Sequence, residues 1–273
     1  MTNHWSLVFE TGLEAVSLAI QTVWHSKSLA SIIVRRVNSA FAGATRSLDY
    51  EIEQFIVKRL SQAHFAVLSE ESGLQCPRGA KYFAVLDPID GTDMALRGLD
   101  YFAVCIACGP LDHQKIYFRN IQYSVVCSPL GVFSALRGEG ARLNDQLITT
   151  SSTRGLRNSI LRIPPQRAVA PPLTNKPRSF LYLGSTALEI CAVARGHIDG
   201  YVESKRRKIF DYAAAGFIAT EAGAVLSDIN GAPLTNRRLG PVSRSTLIVA
   251  ANEQLFEEIH RAIHSSKTTH ARA

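Results

Sequence analysis

The segment Asp87-Pro-Ile-Asp90-Gly91-Thr92 directly follows the apolar run Tyr82-Phe-Ala-Val-Leu86. Two carboxylates at the C-terminal edge of a strand, in a turn built on Pro and Gly, offer the hard oxygen ligands that Mg²⁺ requires. Asp, Pro and Gly are also ordinary turn formers, so this segment alone does not separate a metal site from a surface turn. Glu70-Glu71 adds weight, because it ends the preceding apolar run Ala66-Val-Leu68. Two neighbouring strand ends then bring Glu70, Asp87 and Asp90 to one point. Carboxylates crowded in a low-dielectric site repel one another strongly unless a cation neutralises them. Asp211, at the predicted start of the helix that contains Tyr212-Ala-Ala-Ala-Gly216, is a fourth candidate; its plainer reading is a helix cap.

The elements that must position these residues can be read from periodicity. Phe9, Leu13, Val16, Ile20 and Val23 recur at four- and three-residue steps and predict one buried helical stripe. A second helix is expected from about Asp49, with Ile52, Phe55, Ile56 and Leu60 inward and Ser47 as its cap. Short apolar runs follow: Ala66–Leu68, Tyr82–Leu86, Phe102–Cys108, and Tyr123–Cys127 with Val132–Leu136 around the turn Ser128–Gly131. This half, residues 1 to about 150, reads as antiparallel α+β and carries most of the acidic candidates. Cys105 and Cys108 fall on one strand with opposite-facing side chains, which makes them core residues rather than a metal pair.

From about residue 151 to 263 the texture becomes alternating helix and strand, an α/β half reached through Pro164, Pro165, Pro171 and Pro172. Thr186 with Glu189 predicts a capping box, Asp211 and Asn252 predict two further caps, and Ala224–Leu226 and Thr246–Ala250 predict strands. Residues 264–273 read as a loose polar tail. The whole is expected to be one catalytic domain of two halves, mixed α+β and α/β.

At this point the chain resembles the inositol monophosphatase-like family of Mg²⁺-dependent sugar phosphatases, including its archaeal fructose-1,6-bisphosphatase/inositol monophosphatase branch. The resemblance rests on ordered motifs: Thr45-Arg-Ser-Leu-Asp49, Glu70-Glu71, Asp87–Thr92, Gly138-Glu-Gly-Ala-Arg-Leu-Asn144, and Phe210-Asp211-Tyr-Ala-Ala-Ala-Gly216 with Glu221-Ala-Gly223. It implies a layered α-β-α-β-α sugar-phosphatase fold and two or three Mg²⁺ ions, with Mn²⁺ as a substitute. One ion would be held by Glu70, Asp87 and the carbonyl of Ile89, and a second by Asp87, Asp90 and Asp211. Gly91 and Thr92 would meet the phosphate. In-line attack by water, activated by Thr92 with Asp49 and by Glu70, would proceed without a phosphoenzyme. Gly184, Ser185, Thr186 and Glu203 would grip the sugar or inositol ring. Between Glu203 and Asp211 the run Lys205-Arg-Arg-Lys208 is a solvated loop or a contact to a second phosphate, with Arg206 and Arg207 the best-suited side chains.

Composition bounds the rest. Among 273 residues, 30 Lys+Arg against 23 Asp+Glu leave a net charge of +7, which favours anionic partners without choosing among them. The longest apolar stretch, Tyr101–Cys108, is far short of the ~20 residues that span a bilayer. Glu10 and Glu14 interrupt any leader-like run, and five cysteines form no disulfide framework, so a cytoplasmic protein is expected. The expected activity is hydrolysis of a small phosphorylated metabolite, inositol monophosphate or fructose 1,6-bisphosphate, by a homodimer. A 3′-phosphoadenosine 5′-phosphate phosphatase is the alternative, and a basic RNA-binding protein that kept the fold the remoter one. Membrane and nucleic-acid partners are not expected.

Overall fold

A computed structural model describes residues 3–25, 41–111, 116–164, 173 and 177–264. The expectations for Pro165, Pro171, Pro172 and residues 265–273 lie outside these. Helices α1 (Asn3–His25) and α2 (Phe41–Gln62) open the chain. An eight-stranded sheet follows, built from β1 (Phe65–Ser69), β2 (Gly73–Gln75), β3 (Tyr82–Asp90), β4 (Ala103–Pro110), β6 (Tyr123–Ser128), β7 (Gly131–Leu136), β8 (Ala141–Leu143) and β9 (Gln146–Ile148). The short helix α3 (Thr92–Leu96) follows β3, and β5 (Ile116–Tyr117) stands apart to pair later. Next come β10 (Ile160–Arg162), β11 (Ser179–Leu181), α4 (Thr186–Ala194), β12 (Gly200–Lys208), α5 (Ala213–Glu221) and β13 (Val225–Ser227). The last elements are β14 (Arg238–Leu239), which pairs with β5, then β15 (Arg244–Ala250) and α6 (Glu253–His264). A second sheet runs β11-β10-β12-β15-β13.

Alternation along β3 and β4 shows why both faces of the first sheet are covered. Phe83, Val85, Cys105 and Ala107 enter the core shared with α4, α5 and the second sheet. Ala84, Leu86, Ile106 and Cys108 enter the core beneath α1 and α2. A third core joins the outer face of the second sheet, through Val202 and Ile248, to Leu255 and Ile259 of α6. The order is therefore helix pair, sheet, helix pair, sheet, helix, the five layers that the resemblance implies. Cys105 and Cys108 do face opposite ways. No described helix is long and apolar enough to cross a membrane.

Several local expectations need correction. The buried face of α1 is Val8, Thr11 and Ala15, whereas Leu13 is exposed; Val16, Ile20 and Val23 have side chains outside the description. Helix α2 starts at Phe41, so Ser47 lies inside it rather than at its start, although Ile52, Ile56 and Leu60 are buried as expected. The N-cap of α4 is Ser185, whose hydroxyl accepts from the Leu188 N–H, and Glu189 is drawn elsewhere. Tyr212, not Asp211, occupies the cap position of α5. Asn252 does cap α6, accepting from the Leu255 N–H at 3.1 Å.

The correction that matters most for the site is that the first half is not wholly antiparallel. β1 and β3 run parallel, Ser69 beside Leu86, and the Glu70 N–H continues the ladder to the Leu86 carbonyl at 3.3 Å. Parallel neighbours finish at the same sheet edge. Glu70 and Asp87, each one residue past that last pair, are placed side by side for this reason.

Candidate active site

Asp87 is held by its own turn. Its Oδ1 accepts from the Ile89 N–H at 3.1 Å, and the side chain is buried. Asp211 reaches the same point from the segment between β12 and the fully buried Ala213–Ala219 stretch of α5. Glu70, Asp87 and Asp211 each present a carboxylate oxygen within 4.8 Å of the others. Burial and the Glu70, Asp90 and Asp211 charges hold Asp87 well above the usual carboxylate range, and burial with Asp90 and Glu70 pushes Asp211 up to about 7. An all-oxygen donor set whose members repel each other when ionised fits a hard divalent cation such as Mg²⁺.

Asp90 stands beside this trio but is engaged differently. Its carboxylate accepts from the Ser185 hydroxyl, from the Ala187 N–H at 2.7 Å and from the Thr186 N–H at 3.3 Å. These donors form the N-terminus of α4, where an anion is favoured. The bonds draw Asp90 down while burial, the larger effect, pushes it up, to about 6. Asp90 therefore fastens the second half of the chain to the first, and Ser185, fully buried, serves that bond rather than an exposed contact.

Thr92 links the cluster to α2. Its Oγ1 lies 2.9 Å from the Ile89 carbonyl and 3.3 Å from Asp49 Oδ1. Burial and then the Glu71 charge push Asp49 up to about 7, opposed by the Thr92 bond. A protonated Asp49 can donate to Thr92 while Thr92 donates to Ile89, and an ionised Asp49 can accept the Thr92 proton instead. Gly91 makes the close packing possible: its φ is +89°, and a Cβ there would meet the Tyr101 carbonyl oxygen at 2.9 Å.

Glu70, Asp87, Asp90, Gly91, Thr92 and Asp211 line a cavity of about 340 Å³ that also includes Gly184, Thr186, Arg207 and the exposed Asp93, with Asp49 and Ser185 behind its wall. Glu203 is not on its wall. It is fully buried, accepting from Arg162 Nη1 at 3.1 Å, Arg207 Nη2 at 3.0 Å and the Lys205 N–H at 2.9 Å. The segment expected to be a loop is the end of β12, bulged between Glu203 and Arg207. Strand geometry separates Arg206 from Arg207: Arg207 enters the cavity, 3.9 Å from Asp211, while Arg206 borders a different hollow. Lys208 pairs with Glu70 at 2.8 Å.

Arg162 carried no signal in the sequence. It is fully buried at the floor of the cavity, 2.7 Å from Glu189, with its guanidinium 4.6 Å from the Tyr182 ring and 4.4 Å from the Tyr201 ring. Glu189, the expected capping-box partner, also accepts from the Gly184 N–H at 3.0 Å. An Arg between two glutamates and two tyrosines is recognisable only once β10, β12 and α4 are packed together.

Comparison with known proteins adds a family to this geometry. Residues 14–268 match the inositol monophosphatase family. The chain belongs to that family. Among its relatives is a protein named Nus factor SuhB from Haemophilus influenzae, 30% identical over 82% of each chain. Another is the fructose-1,6-bisphosphatase/inositol-1-monophosphatase of Methanocaldococcus jannaschii, 27% identical over 79% of this chain and 83% of that one. Of solved structures, inositol monophosphatase II from Staphylococcus aureus superposes over the full length of both chains with a TM-score of 0.78 at 22% identity, a likeness of fold. The MJ0109 gene product, titled inositol monophosphatase-fructose 1,6 bisphosphatase, gives 0.69 at 26% identity over 79% of this chain and 83% of its own. Family membership accounts for the expected layers.

Proposed function

We propose that the chain is a Mg²⁺-dependent phosphomonoesterase acting on a small phosphorylated polyol or sugar. The observation that carries this reading is the trio Glu70, Asp87 and Asp211, brought within 4.8 Å of one another beside a helix N-terminus and a cationic side chain. Those three carboxylates would hold the ion, with the Ile89 carbonyl and Asp90 alongside. Bound there, Mg²⁺ supplies positive charge to a reaction whose uncatalysed rate is among the slowest known. The chain's own residues do the remainder. Gly91 and Thr92 offer backbone N–H groups at the start of α3 to phosphate oxygens. Arg207, pinned to Glu203 through Nε and Nη2, reaches the cavity with its Nη1 donors, a charge-assisted contact for a phosphate oxygen. Asp49, pushed up to about 7 and hydrogen-bonded to Thr92 Oγ1, is the base that would receive, through the Thr92 hydroxyl, the proton an attacking water gives up as its oxygen bonds to phosphorus.

The relatives named Nus factor SuhB favour a second reading, a regulatory role in place of hydrolysis. The intact carboxylates weigh against it, since a binding protein gains nothing from mutually repelling buried acids. Phosphate release from a panel of inositol, sugar and nucleotide phosphates, with Mg²⁺ and with EDTA, tests the choice. Hydrolysis that requires Mg²⁺ and falls by orders of magnitude in Asp87→Asn is expected. EDTA-resistant release, or a folded wild type inert on every substrate, overturns the proposal.

A further inference from the structure

Beside the ends of β12 and β15 that carry Arg206 and Arg244 lies a second hollow of about 430 Å³, which shares no lining residue with the acidic cavity. Arg206, Arg237, Arg238 and Arg244 surround it, and Asp228 is its single acid. Asp228 is occupied: its Oδ1 accepts from the Asn230 N–H at 2.9 Å and from the Ala232 N–H at 3.0 Å. Among the described residues, none of the four guanidinium groups has an ion-pair partner. Arg206 Nη2 donates only to the Arg244 carbonyl, and Arg237 Nη2 to the Ser245 hydroxyl at 2.8 Å. The Arg238 and Arg244 side chains are exposed. At the margin a fifth cation, Arg119, is fixed by Asn236 at 2.7 Å and stacked on Tyr117.

Surface cations in this protein do find acids when acids are near, as Arg207 and Lys208 show at the end of the same strand. Four unpaired guanidiniums around one concavity instead repel each other, and a multivalent anion relieves that repulsion. Each guanidinium presents a planar fork that matches phosphate oxygens two at a time. The cations ring a hollow rather than forming a long stripe, and its volume lies in the range of small-ligand sites. Pro233 and Val242, the latter 86% exposed, give one wall an apolar surface against which a ring can lie.

We propose that this hollow is a binding site for a small ligand with two or more linked phosphates, separate from the cavity where hydrolysis is placed. Two sources share that chemistry, a nucleoside polyphosphate and inorganic polyphosphate, and they differ in whether the apolar wall is used.

The test is calorimetric titration of the full chain at low salt, in EDTA so that no hydrolysis intervenes. ATP, inorganic triphosphate and an eight-nucleotide single-stranded RNA serve as probes. Saturable one-to-one binding of ATP or triphosphate is expected, weakening as salt rises. Tighter binding of ATP assigns the nucleoside source, and equal binding assigns the inorganic one. Arg238→Ala with Arg244→Ala should weaken the binding about ten- to a hundredfold while leaving Mg²⁺-dependent phosphate release unchanged. Arg206→Ala, tested separately, should weaken it too. Absence of binding, binding indifferent to these variants, or binding of the RNA alone would overturn the proposal.

Discussion

Lys208 Nζ lies 2.8 Å from Glu70 Oε1, so an ammonium already neutralises one carboxylate of the trio that would hold a metal. The pair is part-exposed, with Lys208 36% and Glu70 23% accessible, which puts its strength at about 1 kcal/mol or less. Lys208 both competes for Glu70 and repels an incoming cation. Lys208→Met should therefore tighten Mg²⁺ binding by up to about fivefold, as read by calorimetry. Weaker binding in this variant would mean that Lys208 orients Glu70 for the ion instead.

The metal-free chain should lose stability as pH rises through the range between the ordinary carboxylate value of 3.8 and about 7. Asp49 and Asp211 are pushed up to about 7 and Asp90 to about 6, so across that window the folded state binds more protons than the unfolded state. Stability then falls with increasing pH, and the contribution is fully present only below the unfolded value. In EDTA, the melting temperature at about pH 8 should lie below that at about pH 5, and saturating Mg²⁺ should narrow the gap by favouring the ionised forms. A gap unaffected by Mg²⁺ would remove these carboxylates from the metal site.

Arg162 is buried with Glu189 and Glu203, and removing it leaves Glu189 without its cation and Glu203 with Arg207 alone. Arg162→Met is expected to destabilise the fold by about 3–5 kcal/mol in urea unfolding. Arg162→Lys should recover little, because a point charge cannot serve Glu189, Glu203 and the Val202 carbonyl as the planar fork does.

Arg206 and Arg207 are adjacent in sequence but face different hollows. Arg207→Ala should lower kcat/KM for a phosphorylated substrate by about one to two decades, the equivalent of one charge-assisted contact. Arg206→Ala should leave it within twofold or so. Equal losses in the two variants would contradict the placement of the β12 bulge.

The sequence by itself determined which acids are candidate ligands and where the principal helices and central strands of the first sheet lie, but not β12 or the shorter strands. Acids at strand ends are legible because Asp87, Asp90 and Glu70 each interrupt an apolar run, and local interruption is what periodicity detects. The five layers followed from the family resemblance that the ordered motifs carry, and the Asn252 cap from a local rule. Tertiary structure alone decided how those acids were shared. An antiparallel first half would have sent Glu70 and Asp87 to opposite edges; the parallel pairing of β1 with β3, a long-range choice invisible to alternation, put them side by side. Packing of α4 against the β3 turn diverted Asp90 and Ser185 to each other, and a bulge in β12 sent Arg207 inward and left Arg206 outside. Arg162 was silent because a buried cation acquires meaning only from the partners that folding brings to it, and Glu189 arrives from α4, Glu203 with Tyr201 from β12, and Tyr182 from the segment after β11.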